Sequence, residues 1–119
     1  MTDFAKYLQS FFHKYLAGNY GASSNTIRAY KKSFSLLVSF MTKVKNIPPH
    51  KLELKHLNKD SISEFLMWLE TDCNNSISTR NNRYGAICSF CKYLQYEVPD
   101  RLAEWQNIRS IKSKKDFQK

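Results

Sequence analysis

The sequence predicts an all-α protein, a bundle of four to five helices. Apolar residues recur at intervals of three and four along almost the whole chain, which is the period of a helix that buries one face. No segment shows a convincing alternation of apolar and polar residues, as a half-buried strand would. The 119 residues include only three Pro, and all of them lie between the periodic segments. A chain of this length and composition is expected to form one domain, residues 1–109, followed by a basic tail, 110–119.

The first half contains two predicted helices. Helix one spans about Asp3–Ala17, with Thr2 or Asp3 as its N-cap. Helix two begins at Ser23 or Ser24 and runs to about Lys43, with an apolar stripe on one side and basic or small polar residues on the other. The following stretch, 44–57, contains Pro48-Pro49 and is predicted to be a loop.

Three helices are predicted in the second half. Helix three begins near Asn58, a good N-cap residue, and fades in residues 72–75. Helix four begins at Ser78 or Thr79 and runs to about Tyr96. Its apolar positions go nearly round the helical wheel, so we expect it to be central, with its polar start, 79–83, projecting into solvent. A shorter fifth helix is predicted over about 100–109.

The net charge of +9 indicates a polyanionic partner, with nucleic acid as the first candidate and an acidic membrane surface as the second. The charge is uneven: residues 23–59 contain eight bases against one acid, whereas 60–77 contain four acids, expected on a solvated face, and no base. No apolar run is long enough for a membrane span, and no signal peptide is recognisable. We therefore expect a cytoplasmic protein with reduced cysteines.

No catalytic, metal or cofactor site is predicted. Cys88-x-x-Cys91 lies in an apolar helical run without a second ligand pair, so these residues are expected to pack as core cysteines. The histidines at 13, 50 and 56 have no partner at a suggestive spacing and are expected to be solvated. No glycine-rich loop is present to hold a phosphate, and no small-molecule ligand is expected.

Two basic helix starts remain as candidate functional sites. Helix N-termini offer free N–H groups and a positive dipole end to phosphates, and Arg can contact guanine edges with two hydrogen bonds. Capping explains one Ser or Asn per helix, but not the arginines, which have no acid nearby in the sequence. The candidate DNA-contacting residues are Ser24, Asn25, Thr26, Arg28, Lys31 and Lys32 in helix two, and Thr79, Arg80, Asn81 and Arg83 in helix four.

These helix starts carry a resemblance to a known family. The run Thr26-Ile27-x-x-Tyr30 with Leu37 and Phe40, and the run Thr79-Arg80-Asn81-x-Arg83-Tyr84-x-Ala86-Ile87-x-x-Phe90-x-x-Tyr93, resemble the N-terminal core-binding domain of tyrosine recombinases, the family of phage integrases. The two runs occur in the family's order and separation, and the resemblance covers about residues 3–109.

The resemblance implies a SAM-like helical bundle that clamps double-stranded DNA opposite a catalytic domain, together with further recombinase protomers. The helix-two and helix-four residues above would then face the major groove, and Lys114 and Lys115 would belong to the interdomain linker. The family's chemistry uses a nucleophilic Tyr with two Arg and an H-x-x-R motif. No H-x-x-R is present in this chain, so no enzymatic activity is expected here, and the chain resembles a fragment of a longer recombinase.

Two other functions stay open from the residues alone. One is a helical protein-interaction module whose positive charge is incidental, because fold does not determine function. The other is a standalone DNA-binding regulator without recombinase activity. A salt titration of duplex binding separates both DNA-binding hypotheses from the first alternative, since only phosphate contacts make affinity depend strongly on salt.

Overall fold

The computed structural model describes residues 1–115, and this part of the chain contains five α-helices and no strand. The all-α prediction is therefore confirmed. The chain forms two compact units, Met1–Leu57 and Asn58–Lys119. Over the described residues, no helix combines the length and apolarity that a membrane crossing requires. The helices are α1 (Asp3–Ser10), α2 (Ser24–Lys43), α3 (Lys59–Thr71), α4 (Ile77–Glu97) and α5 (Leu102–Arg109).

The first unit begins with a helix that changes its hydrogen-bond pattern. Thr2 caps α1, its hydroxyl accepting from the N–H of Ala5 at 3.1 Å. From Phe11 to Asn19 the backbone is π-helical rather than α-helical, which the sequence did not predict. Apolar residues at intervals of three or four do not reveal whether each backbone N–H bonds to the carbonyl four residues earlier, as in an α-helix, or five residues earlier, as in a π-helix. Phe11 is fully buried here in an aromatic cluster with Phe12, Tyr15, Tyr30 and Phe34.

Helix α2 has the predicted bounds. Ser23 is its N-cap, accepting from the N–H of Thr26 at 3.2 Å. The buried residues of the predicted apolar stripe are Phe34, Leu37 and Met41. The predicted loop that follows contains two short 3₁₀ turns, Pro49–Lys51 and Leu54–His56. The result is a long helix whose basic side is left exposed.

The second unit starts at a reciprocal cap. Asn58 accepts from the N–H of Ser61 at 2.8 Å, and the Ser61 hydroxyl accepts from the N–H of Asn58 at 3.1 Å. The start of α3 predicted near Asn58 is confirmed. Its buried core stripe consists of Ile62, Phe65, Leu66 and Leu69.

Helix α4 begins slightly earlier than predicted, because Ser76 rather than a later residue caps it, accepting from the N–H of Thr79 at 3.1 Å. It packs against both α3 and α5. In α5, Trp105 is fully buried and its indole N–H donates to the Val98 carbonyl at 3.0 Å, whereas Leu102 is exposed. The buried residues of α4 include Tyr84, Ala86, Ile87, Phe90, Cys91, Tyr93 and Leu94.

Candidate nucleic-acid interface

The start of α2 presents an exposed basic surface, as predicted. Arg28 and Lys32 lie one turn apart, and both are exposed. The guanidinium of Arg28 donates to the side-chain oxygen of Asn25 at 3.4 Å, which links the two residues across the first turn. We call the exposed polar and basic residues of this turn and the next the α2 basic face: Ser24, Asn25, Arg28, Lys31 and Lys32.

Two other side chains of this helix start have local partners. Thr26 is half-buried, and its hydroxyl accepts from the Ser23 hydroxyl at 3.0 Å. The ammonium of Lys31 lies 6.0 Å from the centroid of the Phe12 ring, within the range of a cation–π contact. Lys31 and Phe12 also line a mainly apolar groove of about 370 Å³ in the first unit. Arg28 and Lys32 are the cations of the α2 basic face that do not line this groove.

The start of α4 was predicted to project into solvent, and the structure contradicts this prediction. Arg80 is only 6% exposed, and its Nε lies 4.0 Å from a carboxylate oxygen of Glu70 on α3. The guanidinium also lies 5.9 Å from the centroid of the Tyr84 ring. The expectation that Arg80 is exposed is therefore wrong, and an acid that is not near it in the sequence lies near it in space. The physical reason is tertiary: α3 packs beside α4 and brings an acid that is ten residues away in the sequence.

The amide of Asn81 makes two hydrogen bonds with the backbone of Lys114. Its Nδ2 donates to the Lys114 carbonyl at 2.8 Å, and its Oδ1 accepts from the Lys114 N–H at 3.1 Å. The same Oδ1 accepts from Arg80 at 2.9 Å. Thr79 and Arg83 are both half-buried. The predicted α4 cluster therefore contains side chains that already have protein partners.

The C-terminal stretch lies against the start of α4. The Lys114 ammonium donates to both carboxylate oxygens of Glu70, at 3.2 and 2.9 Å, and Arg80 donates to the Lys112 carbonyl at 3.4 Å. Lys115 is exposed. The rest of the predicted tail, 116–119, lies outside the described residues.

Glu70 is the important residue that sequence reasoning missed. All four acids of 60–77 were expected on a solvated face, but Glu70 has a side chain only 23% exposed and contacts two cations. A signal was present, because Glu70 follows the core residue Leu66 by four positions and Leu69 by one. That spacing places it at the edge of the buried stripe rather than on the opposite side of the helix.

Cys88 and Cys91 lie in surroundings that disfavour the reactive thiolate form. Cys91 is fully buried, and burial raises the pKa of its thiol. Burial also raises the pKa of the half-buried Cys88. A thiol that stays protonated is a poor nucleophile and a poor metal ligand. Within residues 1–115 no group of three or more His, Cys, Asp or Glu side chains is placed to bind a metal ion.

His56 is structural rather than solvated. It is half-buried, and its Nδ1 accepts from the N–H of Glu53 at 2.9 Å, which stabilises a short turn. His13 and His50 are exposed, as expected.

Tyr84 is buried, its hydroxyl donates to the Ile108 carbonyl at 2.8 Å, and burial raises its pKa. Tyr84 therefore joins α4 to α5 and is held in its neutral form.

Comparison with known proteins places this all-α chain in a family. Residues 8–98 match the model of the phage integrase, N-terminal SAM-like domain. That match covers more than half of the chain, and the chain therefore belongs to this family. The predicted family and the predicted SAM-like, all-α fold class are both confirmed.

Two curated relatives come from Sinorhizobium fredii. The chain is 34% identical over 114 residues to "Putative integrase/recombinase y4rC", and 32% identical over 111 residues to "Putative integrase/recombinase y4rD". The alignments cover 96% and 93% of this chain, but only 34% and 40% of the two relatives. The chain thus spans between a third and two-fifths of their length. No solved structure shows a significant match.

Proposed function

We propose that this chain is the DNA-binding, core-binding domain of a tyrosine-type site-specific recombinase. In the whole protein it would hold duplex DNA from the side opposite the catalytic domain during integration or recombination, with further protomers on the same DNA. The family match supports the recombinase role. The observation that carries DNA binding is the α2 basic face, where Arg28 and Lys32 lie one turn apart and exposed near a helix N-terminus.

The proposed contacts differ in kind between the two helix starts. On α2, Ser24, Asn25 and Thr26 can donate to phosphate oxygens, while Arg28, Lys31 and Lys32 supply positive charge. At the start of α4, the proposed contacts are made by Thr79 and Arg83, and by Lys115 beyond α5. Arg80, Asn81 and Lys114 have internal partners in the free chain, so their contribution requires an exchange of partners.

A salt titration tests the proposal. A fluorescently labelled, mixed-sequence duplex is titrated with the chain at several salt concentrations, and the dissociation constant is read from anisotropy. If the chain neutralises about five phosphates, the logarithm of the binding constant should fall with the logarithm of the salt concentration at a slope of about −4.5. A salt-independent affinity, or no binding at low salt, would contradict DNA binding and favour the protein-interaction alternative.

A further inference from the structure

The stretch Ser110–Lys115, which we call the strap, is held against α3 and α4 by three side chains. Asn81 pairs with both backbone groups of Lys114, Glu70 accepts two hydrogen bonds from the Lys114 ammonium, and Arg80 donates to the Lys112 carbonyl. These contacts bridge 32 to 44 positions of sequence. They are tertiary contacts that hold the strap close to the start of α4.

The carboxylate of Glu70 is the counter-ion of Lys114 and Arg80 in this arrangement. Its carboxylate accepts from Lys114 at 3.2 and 2.9 Å and lies 4.0 Å from the Nε of Arg80. A DNA phosphate offers the same chemistry, a pair of anionic oxygens for charged donors. A carboxylate in this position therefore neutralises cations that a duplex could otherwise use.

The ion pair of Lys114 is accessible enough to exchange. The Lys114 side chain is 52% exposed, whereas the guanidinium of Arg80 is enclosed. An exposed ion pair is weak because water screens it, and a phosphate from a polyanion can replace the carboxylate. Lys114 is therefore the group that can change partner while Arg80 stays in place.

We propose that Glu70 is a positioning residue that competes with DNA phosphate for Lys114, so that the strap is docked on the free domain and Lys114 transfers to the duplex on binding. This inference rests on the DNA-binding function proposed above. Asn81 serves the same docked state by holding the strap backbone, which gives it a structural role that the sequence did not indicate.

The first experiment removes the competing charge. Glu70→Gln is compared with Glu97→Gln, a matched control with the same charge change at an exposed site of the same unit. Both variants are titrated with the mixed-sequence duplex at several salt concentrations, after circular dichroism has shown that each is folded. Because Lys114 contacts a phosphate in both complexes, the salt slope should stay about the same, and removing the competing carboxylate should tighten binding about ten-fold at low salt. Equal effects of the two substitutions would overturn the proposal.

The second experiment observes the strap directly and needs no DNA. The Lys114 N–H donates to Asn81, so its hydrogen exchange measured by NMR reports docking. Asn81→Ala should speed that exchange about ten-fold or more, and Glu70→Gln should speed it less. Exchange as slow in both variants as in the parent chain would overturn the docked strap. If neither the parent chain nor any variant binds duplex, the proposed DNA-binding function is contradicted. The hydrogen-exchange measurement still decides whether the strap is docked.

Discussion

The side chain of Asn81 and the backbone of Lys114 form a pair of hydrogen bonds, with the amide donating at 2.8 Å and accepting at 3.1 Å. This geometry uses both polar ends of the amide on the backbone groups of one residue. Asn81 lies in the polar start of α4 that was predicted to contact DNA, but in the free chain it holds a segment more than thirty residues away. Its amide is therefore already hydrogen-bonded within the free chain.

The α2 basic face should dominate duplex binding. We expect Arg28→Ala with Lys32→Ala to weaken binding by about ten-fold or more at low salt, and to make the salt slope shallower by about 1.8, because two phosphate contacts are lost. The matched control is Lys51→Ala with Lys55→Ala, which removes the same charge from two exposed turn residues. A larger loss in the control would place the DNA on a different surface. Arg80→Ala is a poor probe, because Arg80 is buried beside Glu70.

No covalent DNA intermediate should form on this chain. No H-x-x-R motif is present, and the buried Tyr84 is held neutral by its raised pKa. Incubation with a nicked suicide duplex should therefore leave no adduct on a denaturing gel. A protein–DNA band that survives boiling would show that this chain itself supplies a nucleophile.

The cap of α3 should contribute measurably to stability. Asn58→Ala removes one acceptor of the reciprocal pair with Ser61, and we expect a loss of about 1 kcal/mol in the free energy of unfolding, measured in urea. Asn82→Ala, an exposed substitution inside α4, is the control and should change stability by less than about 0.5 kcal/mol. Equal losses would mean that the capping pair contributes nothing specific.

Cys91 should stabilise the protein by packing. Because its side chain is fully buried, Cys91→Ala is expected to cost about 1–2 kcal/mol, toward the low end of large-to-small core substitutions since little volume is removed. Cys88→Ala should cost less, because Cys88 is only half-buried. A chelator should leave the melting temperature unchanged, and a decrease would instead indicate a bound metal.

The same cysteine should make stability fall in base. Burial raises the pKa of Cys91 in the folded chain, so the unfolded thiol loses its proton first as the pH rises above about 8.5. The stabilisation that comes from keeping the Cys91 thiol protonated is complete below that pH. Above it, the free energy of unfolding declines by about 1.4 kcal/mol per pH unit, until the folded thiol also ionises. Urea unfolding from pH 7 to 10 should show a smaller decline in Cys91→Ala, and parallel curves would contradict the assignment.

The sequence by itself determined the features that depend on neighbouring residues. The bounds of α2, the Asn58 cap and the core stripe of α3 follow from apolar spacing and from side chains that bond their own helix start. The exposed position of Arg28 and Lys32 follows in the same way, because a residue's side of a helix is set by its interval from the apolar stripe. The family was also readable, because its motifs are local runs at the starts of α2 and α4.

Only the tertiary structure decided what lies against the start of α4. Arg80 is buried because α3 brings Glu70 beside it, and Asn81 is occupied because the chain returns to it at Lys114. The π-helical stretch from Phe11 is also a feature that the sequence did not predict, and it accompanies ring contacts with residues of α2. Periodicity records which side of a helix is apolar, but not which distant segment covers a polar side. The burial of Arg80 is therefore decided by its partner Glu70, which spacing along the chain does not specify.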